Sequence, residues 1–383
     1  MQKEGEQKRT ERPHPSVGFT RSPGENDPRL DPKLLAAVSR IAPGTGLRQG
    51  IDDIIRSHEG ALIVIGEPAK LAFLFSGGIR LDQPLTPQLL YELAKMDGAI
   101  IINASGSRLV YANVQLMPDP AIASAETGTR HRTAERVAKQ TDALVISISQ
   151  QRETVTVFVG DKRYQLDSIA DVLAKTNQAL HTLETYRQRL EQVLTRLTAL
   201  EFQGAVMLDD VLVVLQRAEL TTRMAEEIER DCAELGSEGR LIRMQLRELL
   251  ADIPAEKAAV VYDYQADRDR PAAETLERLA AAPYDGLLEL ETIAELLRYP
   301  RTVNPLDQAV SPRGYRVLSH IPRLRDTVIR RVVGTLDGLD AIVRASHREL
   351  EAVEGVGEVR AREIREGLRR LQEHNVVDRY LQP

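Results

Sequence analysis

Ala61-Leu62-Ile63-Val64-Ile65 is an unbroken apolar run of strand length, and Ala99-Ile100-Ile101-Ile102 is a second. A short run with no polar alternation reads as a strand covered on both faces. Working outward, Leu71–Phe75, Arg108–Ala112, Ala143–Ile148 and Thr154–Val159 are further strand candidates. The alternation of threonine with apolar residues in the last marks it as the more exposed strand. Helical spacing separates them at Leu34, Leu35, Val38 and Ile41, at Ile51, Ile54 and Ile55, over Pro87–Lys95 and over Thr133–Thr141. Buried strands interleaved with helices predict an α/β domain around a central mixed sheet, over residues 31–164. Ser76-Gly77-Gly78 reads as a hairpin turn.

Beyond Tyr164 the texture changes. Leu166, Ile169, Leu173, Thr176, Leu180, Leu183, Arg187, Leu190, Leu194 and Leu197 follow three–four spacing, a heptad seam interrupted by Thr176 and Arg187. Helical stretches at Leu208–Glu234, Gly239–Asp252 and Ala272–Ala281 extend it into an all-α spine over residues 165–310. Pro300, Asn304-Pro305 and Ser311-Pro312 mark a boundary before an all-α domain at 311–383. Residues 1–30, polar and proline-rich, read as a flexible tail.

The chain has 383 residues, one cysteine, no tryptophan and a formal charge of -6. One cysteine excludes a disulfide framework and a thiolate zinc cluster, and leaves Cys232 as a small buried apolar residue. No window approaches the roughly 18 apolar residues of a membrane span, and no signal peptide opens the sequence, so a cytoplasmic protein with no membrane partner is expected. The acidic sum conceals an asymmetry. From Ser311 onward there are 14 arginines, no lysine and 11 acidic residues, a surplus of three, which leaves -9 for the remainder.

That basic end carries the strongest local signal. In Leu350-Glu351-Ala352-Val353-Glu354-Gly355-Val356-Gly357-Glu358-Val359-Arg360-Ala361-Arg362-Glu363-Ile364, an apolar helix end meets a Gly-apolar-Gly turn and then a second helix. Gly355 and Gly357 permit unusual backbone conformations and close approach, Val356 plugs between the helices, and the turn amides face a phosphate together. This resembles the helix-hairpin-helix motif, which grips DNA backbones without reading bases. Arg360, Arg362 and Arg365 add charge; the alternative is a tight helical hairpin with glycine caps. Ile321-Pro322-Arg323-Leu324 occupies the same place in a possible earlier copy that lacks Gly-x-Gly, and it is expected to be mainly structural.

Within the α/β region, Gly128-Thr129-Arg130-His131-Arg132-Thr133 stands just before an amphipathic helix. Two guanidiniums and a helix N-terminus make a polyanion clamp, or else a helix cap with solvated arginines. Asp97-Gly98 by itself is a common turn.

Lys95-Met96-Asp97-Gly98-Ala99, Ala112-Asn113-Val114-Gln115-Leu116 and Gly128–Arg136, intact and in this order, closely resemble the diadenylate cyclase domain. With the spine and the C-terminal hairpin, the chain from about Asp31 onward resembles the bacterial DNA integrity scanning proteins. The resemblance implies condensation of two ATP into cyclic di-AMP and pyrophosphate, with cyclase domains face to face in a homo-octamer. It implies Asp97 at the attacking ribose hydroxyl and as metal ligand, with Arg130, His131 and Arg132 on the phosphates. Gly98, Ala99, Leu116, Gly128, Thr129, Thr133, Ser149, Arg152 and Glu153 would complete the ATP site. Mg²⁺ or Mn²⁺ is the implied cofactor, and branched DNA, bound through Gly355, Val356, Gly357, Arg360 and Arg362, is the implied regulator. Two alternatives stand beside it: a non-catalytic DNA-binding scaffold, and a helix-hairpin-helix repair enzyme. For a glycosylase of that kind, no lysine occurs after Lys257.

Overall fold

The structure, a computed structural model, describes residues 27–300, 304 and 308–381, with the side chains of 374–381 left aside. Most of the expected tail (1–26) and part of the expected proline boundary therefore lie outside the described residues. The tail assigned to residues 1–30 stops short of its expected end. Pro28–Leu30 form a 3-10 turn capped by Asp27, and Arg29 reaches Asp231 at 2.6 Å and Glu234 at 3.1 Å.

The N-terminal domain follows the order α1 (Pro32–Arg40), α2 (Gly46–Arg56), β1 (Ala61–Ile65), α3 (Pro68–Leu71), β2 (Phe75–Ser76), β3 (Ile79–Pro84), α4 (Pro87–Ala94), β4 (Ala99–Ile102), β5 (Arg108–Leu116), α5 (Thr129–Gln140), β6 (Leu144–Ser149), β7 (Thr154–Val159) and β8 (Lys162–Gln165). The sheet order is β2-β5-β4-β1-β6-β7-β8, with β3 also on β5. Only β1 and β4 are parallel; the other pairs are antiparallel. The mixed sheet is covered on both faces, as the apolar runs predict. Ile63, Ile65, Ile100 and Ile102 pack against α1, α2 and α4 in one core. Leu62, Val64, Ala99 and Ile101 pack against α5 in the other.

Three expectations are corrected. Leu71–Phe75 is not a strand: Leu71 ends α3, Ala72–Leu74 form a 3-10 turn, and only Phe75 begins β2. Ser76-Gly77-Gly78 is not a hairpin, because β2 and β3 both pair antiparallel with β5, one beyond the other. Gly77 and Gly78, with φ of 69° and 102°, break one edge strand in two. β7 is not exposed: it lies between β6 and β8, and Thr156, Val157 and Phe158 are buried. β8 is polar, and β3 alternates only over Ile79-Arg80-Leu81-Asp82 before Gln83-Pro84, too short a pattern to stand out.

The spine is built on α6 (Ile169–Gln203) and α7 (Leu208–Leu235), followed by α8 (Arg240–Leu250), α9 (Ile253–Tyr264), α10 (Ala272–Ala281), α11 (Tyr284–Leu288) and α12 (Leu290–Leu296). The heptad seam is buried at Thr176, Leu180, Leu183, Leu190 and Leu197. Its interruptions are accommodated without open polar groups. Thr176 donates to the Val172 carbonyl at 2.6 Å, and Arg187 forks onto both Asp252 oxygens at 2.7 and 2.8 Å. Cys232 is buried and free, and burial pushes its thiol up to about 11.

The last region holds α13 (Tyr315–Ser319), α14 (Asp326–Thr335), α15 (Leu339–Arg344), α16 (His347–Glu351) and α17 (Glu358–Leu381) around its own core. It is fastened to the spine through Arg316, whose buried guanidinium pairs with Glu201 of α6 and donates to Thr198 at 2.6 Å. The Asp263 carboxylate of α9 accepts the amides of Gly314, Tyr315 and Arg316 at 2.7 to 2.9 Å, capping α13. No helix among the described residues is long and apolar enough to cross a membrane.

Candidate active site

Strand register gathers the dispersed motifs. Leu62 pairs with Ala99, so Asp97 stands level with Gly60. Ala61 pairs with Ile148, which sets Ser149 level with Gly60 on the other side. Ala99 pairs with Val114, which sets Leu116 level with Asp97. Leu116, Asp97, Gly60 and Ser149 thus form a row across β5, β4, β1 and β6 at one end of the sheet, roughly 15 Å wide at ordinary strand spacing.

Asp97 lies in the turn between α4 and β4; its carboxylate is exposed and has no partner among the described residues. Gly98 must be glycine: a Cβ there would sit 2.7 Å from the Asn113 backbone. Ala99 is buried beneath the turn.

Gly128 is the N-cap of α5, so Thr129, Arg130, His131 and Arg132 make up the first helical turn rather than preceding it. No side chain caps this end. The first amides of the helix, free of any side-chain cap, and the positive end of its dipole stand beside the guanidiniums, an arrangement suited to an anion. The approach to α5 is tied down from the helix itself. Glu135 accepts from Ser124 Oγ at 2.5 Å and from the Ala125 amide at 3.0 Å, and Arg136 donates to the Ile122 carbonyl at 2.9 Å. Arg130 lies across β1, its Nη1 2.1 Å from where a Cβ of Gly60 would be. Arg132 turns back toward the carbonyls of Glu126 and Thr127.

The remaining predicted residues flank the row. Ser149 ends β6 and its Oγ accepts the Arg152 amide at 3.2 Å. Glu153, with φ of 52°, pairs with His58 Nδ1 at 2.8 Å. Thr129 is exposed at the helix tip and Thr133 half-buried one turn on.

Three residues escaped sequence reasoning. Gly60 makes room for Arg130, and its only signal was a glycine just before the apolar run. His58 and Arg163 had none. Arg163, on β8, pairs with Glu126 at 2.5 Å. Burial first, then Arg163, Arg130 and Arg152 nearby, hold His131 below the ordinary imidazole range, against an opposing pull from Glu126.

At the other end of the chain, Gly355 adopts φ 82°, Val356 is buried, and Arg360 donates to the Gly355 carbonyl at 2.6 Å. Arg362 pairs with Glu358 at 2.7 Å, and Gly357 faces open space. The earlier stretch repeats this turn. Arg323 takes φ 67°, and the bonds Ile321 N to Leu318 O and Leu324 N to Ile321 O reproduce Val353 N to Leu350 O and Val356 N to Val353 O. Absence of Gly-x-Gly did not prevent the hairpin.

The chain is similar to proteins of known family over most of its length. Residues 48–163 match the family described as DisA bacterial checkpoint controller nucleotide-binding, and residues 166–306 its linker region. The DNA integrity scanning protein DisA of Carboxydothermus hydrogenoformans is 49% identical, over 90% of this chain and 98% of that one. The protein of the same name from Acetivibrio thermocellus is 46% identical, over 92% and 98%. Among solved structures, DacA from Staphylococcus aureus is 24% identical, covering 37% of this chain and 90% of that one, with a TM-score of 0.27.

Proposed function

The chain belongs to the DNA integrity scanning protein family and is a diadenylate cyclase, and from that premise we propose how its own residues carry the reaction and its control. One observation supports the assignment of roles above all: the free Asp97 carboxylate stands one strand from Gly60, over which the Arg130 guanidinium lies. A ribose at the first and phosphates at the second match the chemistry of each.

In this reading the α5 N-terminus, Arg130 and Arg132 bind the phosphates of one ATP, and Leu116, Gly98 and Ala99 bed the nucleoside. Thr129, Thr133, Ser149, Arg152 and Glu153 border it. Asp97 orients the 3′-hydroxyl and takes its proton. That oxygen bonds to the α-phosphorus of the ATP held by a second chain; the bond from that phosphorus to the bridging oxygen breaks, and pyrophosphate leaves. A second, reciprocal attack closes the ring. Arg130 and Arg132 meet the charge that gathers on the phosphates, and a neutral His131 can donate a hydrogen bond without adding repulsion. Because each chain holds one ATP, two cyclase domains must face each other, which an octamer of head-to-head pairs would provide.

Among the described residues no three metal-ligating side chains gather. Asp97 offers one hard oxygen, which suits Mg²⁺ or Mn²⁺ completed by phosphate oxygens and water. Such an ion would supply charge neutralisation at the reacting phosphate. The C-terminal pair of hairpins is read as a helix-hairpin-helix unit for the backbone of branched DNA, working in the cytoplasm. The scaffold and repair-enzyme alternatives are not favoured, given the family match over the nucleotide-binding region. Asp97→Asn tests the assignment: it should abolish cyclic di-AMP formation and leave the assembly intact, and wild-type turnover would refute it.

A further inference from the structure

Asn113 sits inside β5 with φ of 53°, in the left-handed region that residues other than glycine, asparagine and aspartate seldom visit. Ala99 pairs with Val114 and Ile101 with Tyr111, so Ile100 alone faces both Ala112 and Asn113. One extra residue is thus inserted in β5, a bulge that leaves Asn113 outside the alternation. The consequence is visible on both faces. Ala112 packs in the core under α2 and α4, while Val114, only two residues on, packs in the core under α5.

The bulge abuts the catalytic turn. A Cβ on Gly98 would lie 2.7 Å from both the Cα and the carbonyl carbon of Asn113, and 2.8 Å from its Oδ1. The turn that presents Asp97 is therefore seated directly on the bulge. Two other non-glycine residues with positive φ, His58 and Glu153, lie at the same end of the sheet and pair with each other. Backbone conformations of this kind persist where the surroundings hold them and gather at functional sites.

We infer that Asn113 is a positioning residue for the cyclisation: its left-handed bulge fixes the Gly98 turn, and through it the Asp97 carboxylate. It acts by backbone conformation rather than by touching the nucleotide. The inference rests on the reading of Asp97 given above.

The test uses the full chain with ATP and Mn²⁺. Asn113→Ala, which resists the left-handed conformation, should lower kcat about tenfold or more while KM for ATP stays within about threefold, the split expected when orientation rather than binding is lost. Asn113→Gly, which accepts that conformation freely, should restore most of the lost kcat. A KM rise with unchanged kcat in Asn113→Ala, or wild-type kcat in that variant, overturns the inference. So does an Asn113→Gly enzyme whose kcat falls about tenfold or more below the wild type, and this comparison with the wild type stands even if Asn113→Ala does not fold. An Asp97→Asn control separates the two readings. Full activity there refutes the role of Asp97 itself, whereas an inactive control beside a fully active Asn113→Ala refutes only the role of Asn113.

Discussion

The guanidinium of Arg130 lies against Gly60 so closely that a Cβ there would sit 2.1 Å from its Nη1 and 3.2 Å from the Ile148 carbonyl. Gly60→Ala must displace the long arginine side chain, which can move, more than the strand, which cannot. The fold should survive and the phosphate contact should not. A lost charge-assisted bond of about 1.5–3 kcal/mol corresponds to roughly ten- to a hundredfold weaker ATP binding. Calorimetry with a non-reacting ATP analogue reads this, and unchanged affinity would remove Gly60 from the site.

His131 is expected to stay neutral at neutral pH. Its folded pKa is depressed by burial and then by Arg163 and its neighbours. The unfolded chain therefore binds more protons between that lowered value and about 6.5. His131's contribution to stability is present above this window and is lost as pH falls through it. Arg163→Gln removes one of the depressing charges, so the imidazole should titrate at higher pH, as followed by NMR. A titration unmoved by that change would show that Arg163 does not act on His131.

Arg316 and Glu201 form a buried pair that joins the C-terminal domain to α6. Arg316→Ala leaves Glu201 buried without its partner, with a cost of about 3–5 kcal/mol. Asp340→Ala breaks the exposed pair with Arg344 and should change nothing measurable. Denaturant titration of both variants tests the contrast, and equal midpoints would contradict it.

Gly355 has φ of 82°, and a Cβ on it would meet Arg331 Nη1 at 2.5 Å. Gly355→Val should therefore deform the second hairpin. Binding to a four-way DNA junction should fall about tenfold or more, as expected when several backbone contacts are lost together, while cyclic di-AMP synthesis without DNA is retained. An unaffected gel shift would discard the hairpin as the DNA contact.

The layers of this molecule were legible wherever burial writes a pattern. β1, β4 and β6 are apolar because both sheet faces are covered, and α6 announces itself through its seam. β8 is polar and β3 has only Ile79 and Leu81 alternating with charges; both lie toward the sheet edges, where little burial marks them. Leu71–Phe75 misled because an apolar run need not be buried throughout: Leu71 and Leu74 turn inward while Ala72 and Phe73 are exposed on a 3-10 turn, and Pro68 starts a helix that carries the chain through Leu71. That Arg130, His131 and Arg132 stand together at a helix start could be read, since Gly128 and the following helix are local. What Glu135 and Arg136 do, holding the approach to that helix, depends on a loop folding back. Gly60, Arg163 and Asn113 depend on strand register, which joins residues far apart in sequence. The turn of the earlier hairpin left no glycine signal, because Arg323 adopts a conformation for which glycine is the usual mark.

The central claim is that Asp97 and the α5 clamp form the working half of a paired cyclase site. Its most direct test is mass spectrometry of the product after incubating the full chain with ATP and Mg²⁺ or Mn²⁺, beside Asp97→Asn and the double variant Arg130→Ala, Arg132→Ala. The account predicts cyclic di-AMP from the wild type and none from either variant. Absence of cyclic di-AMP from the wild type with both metals, or its undiminished formation by Asp97→Asn, would contradict it.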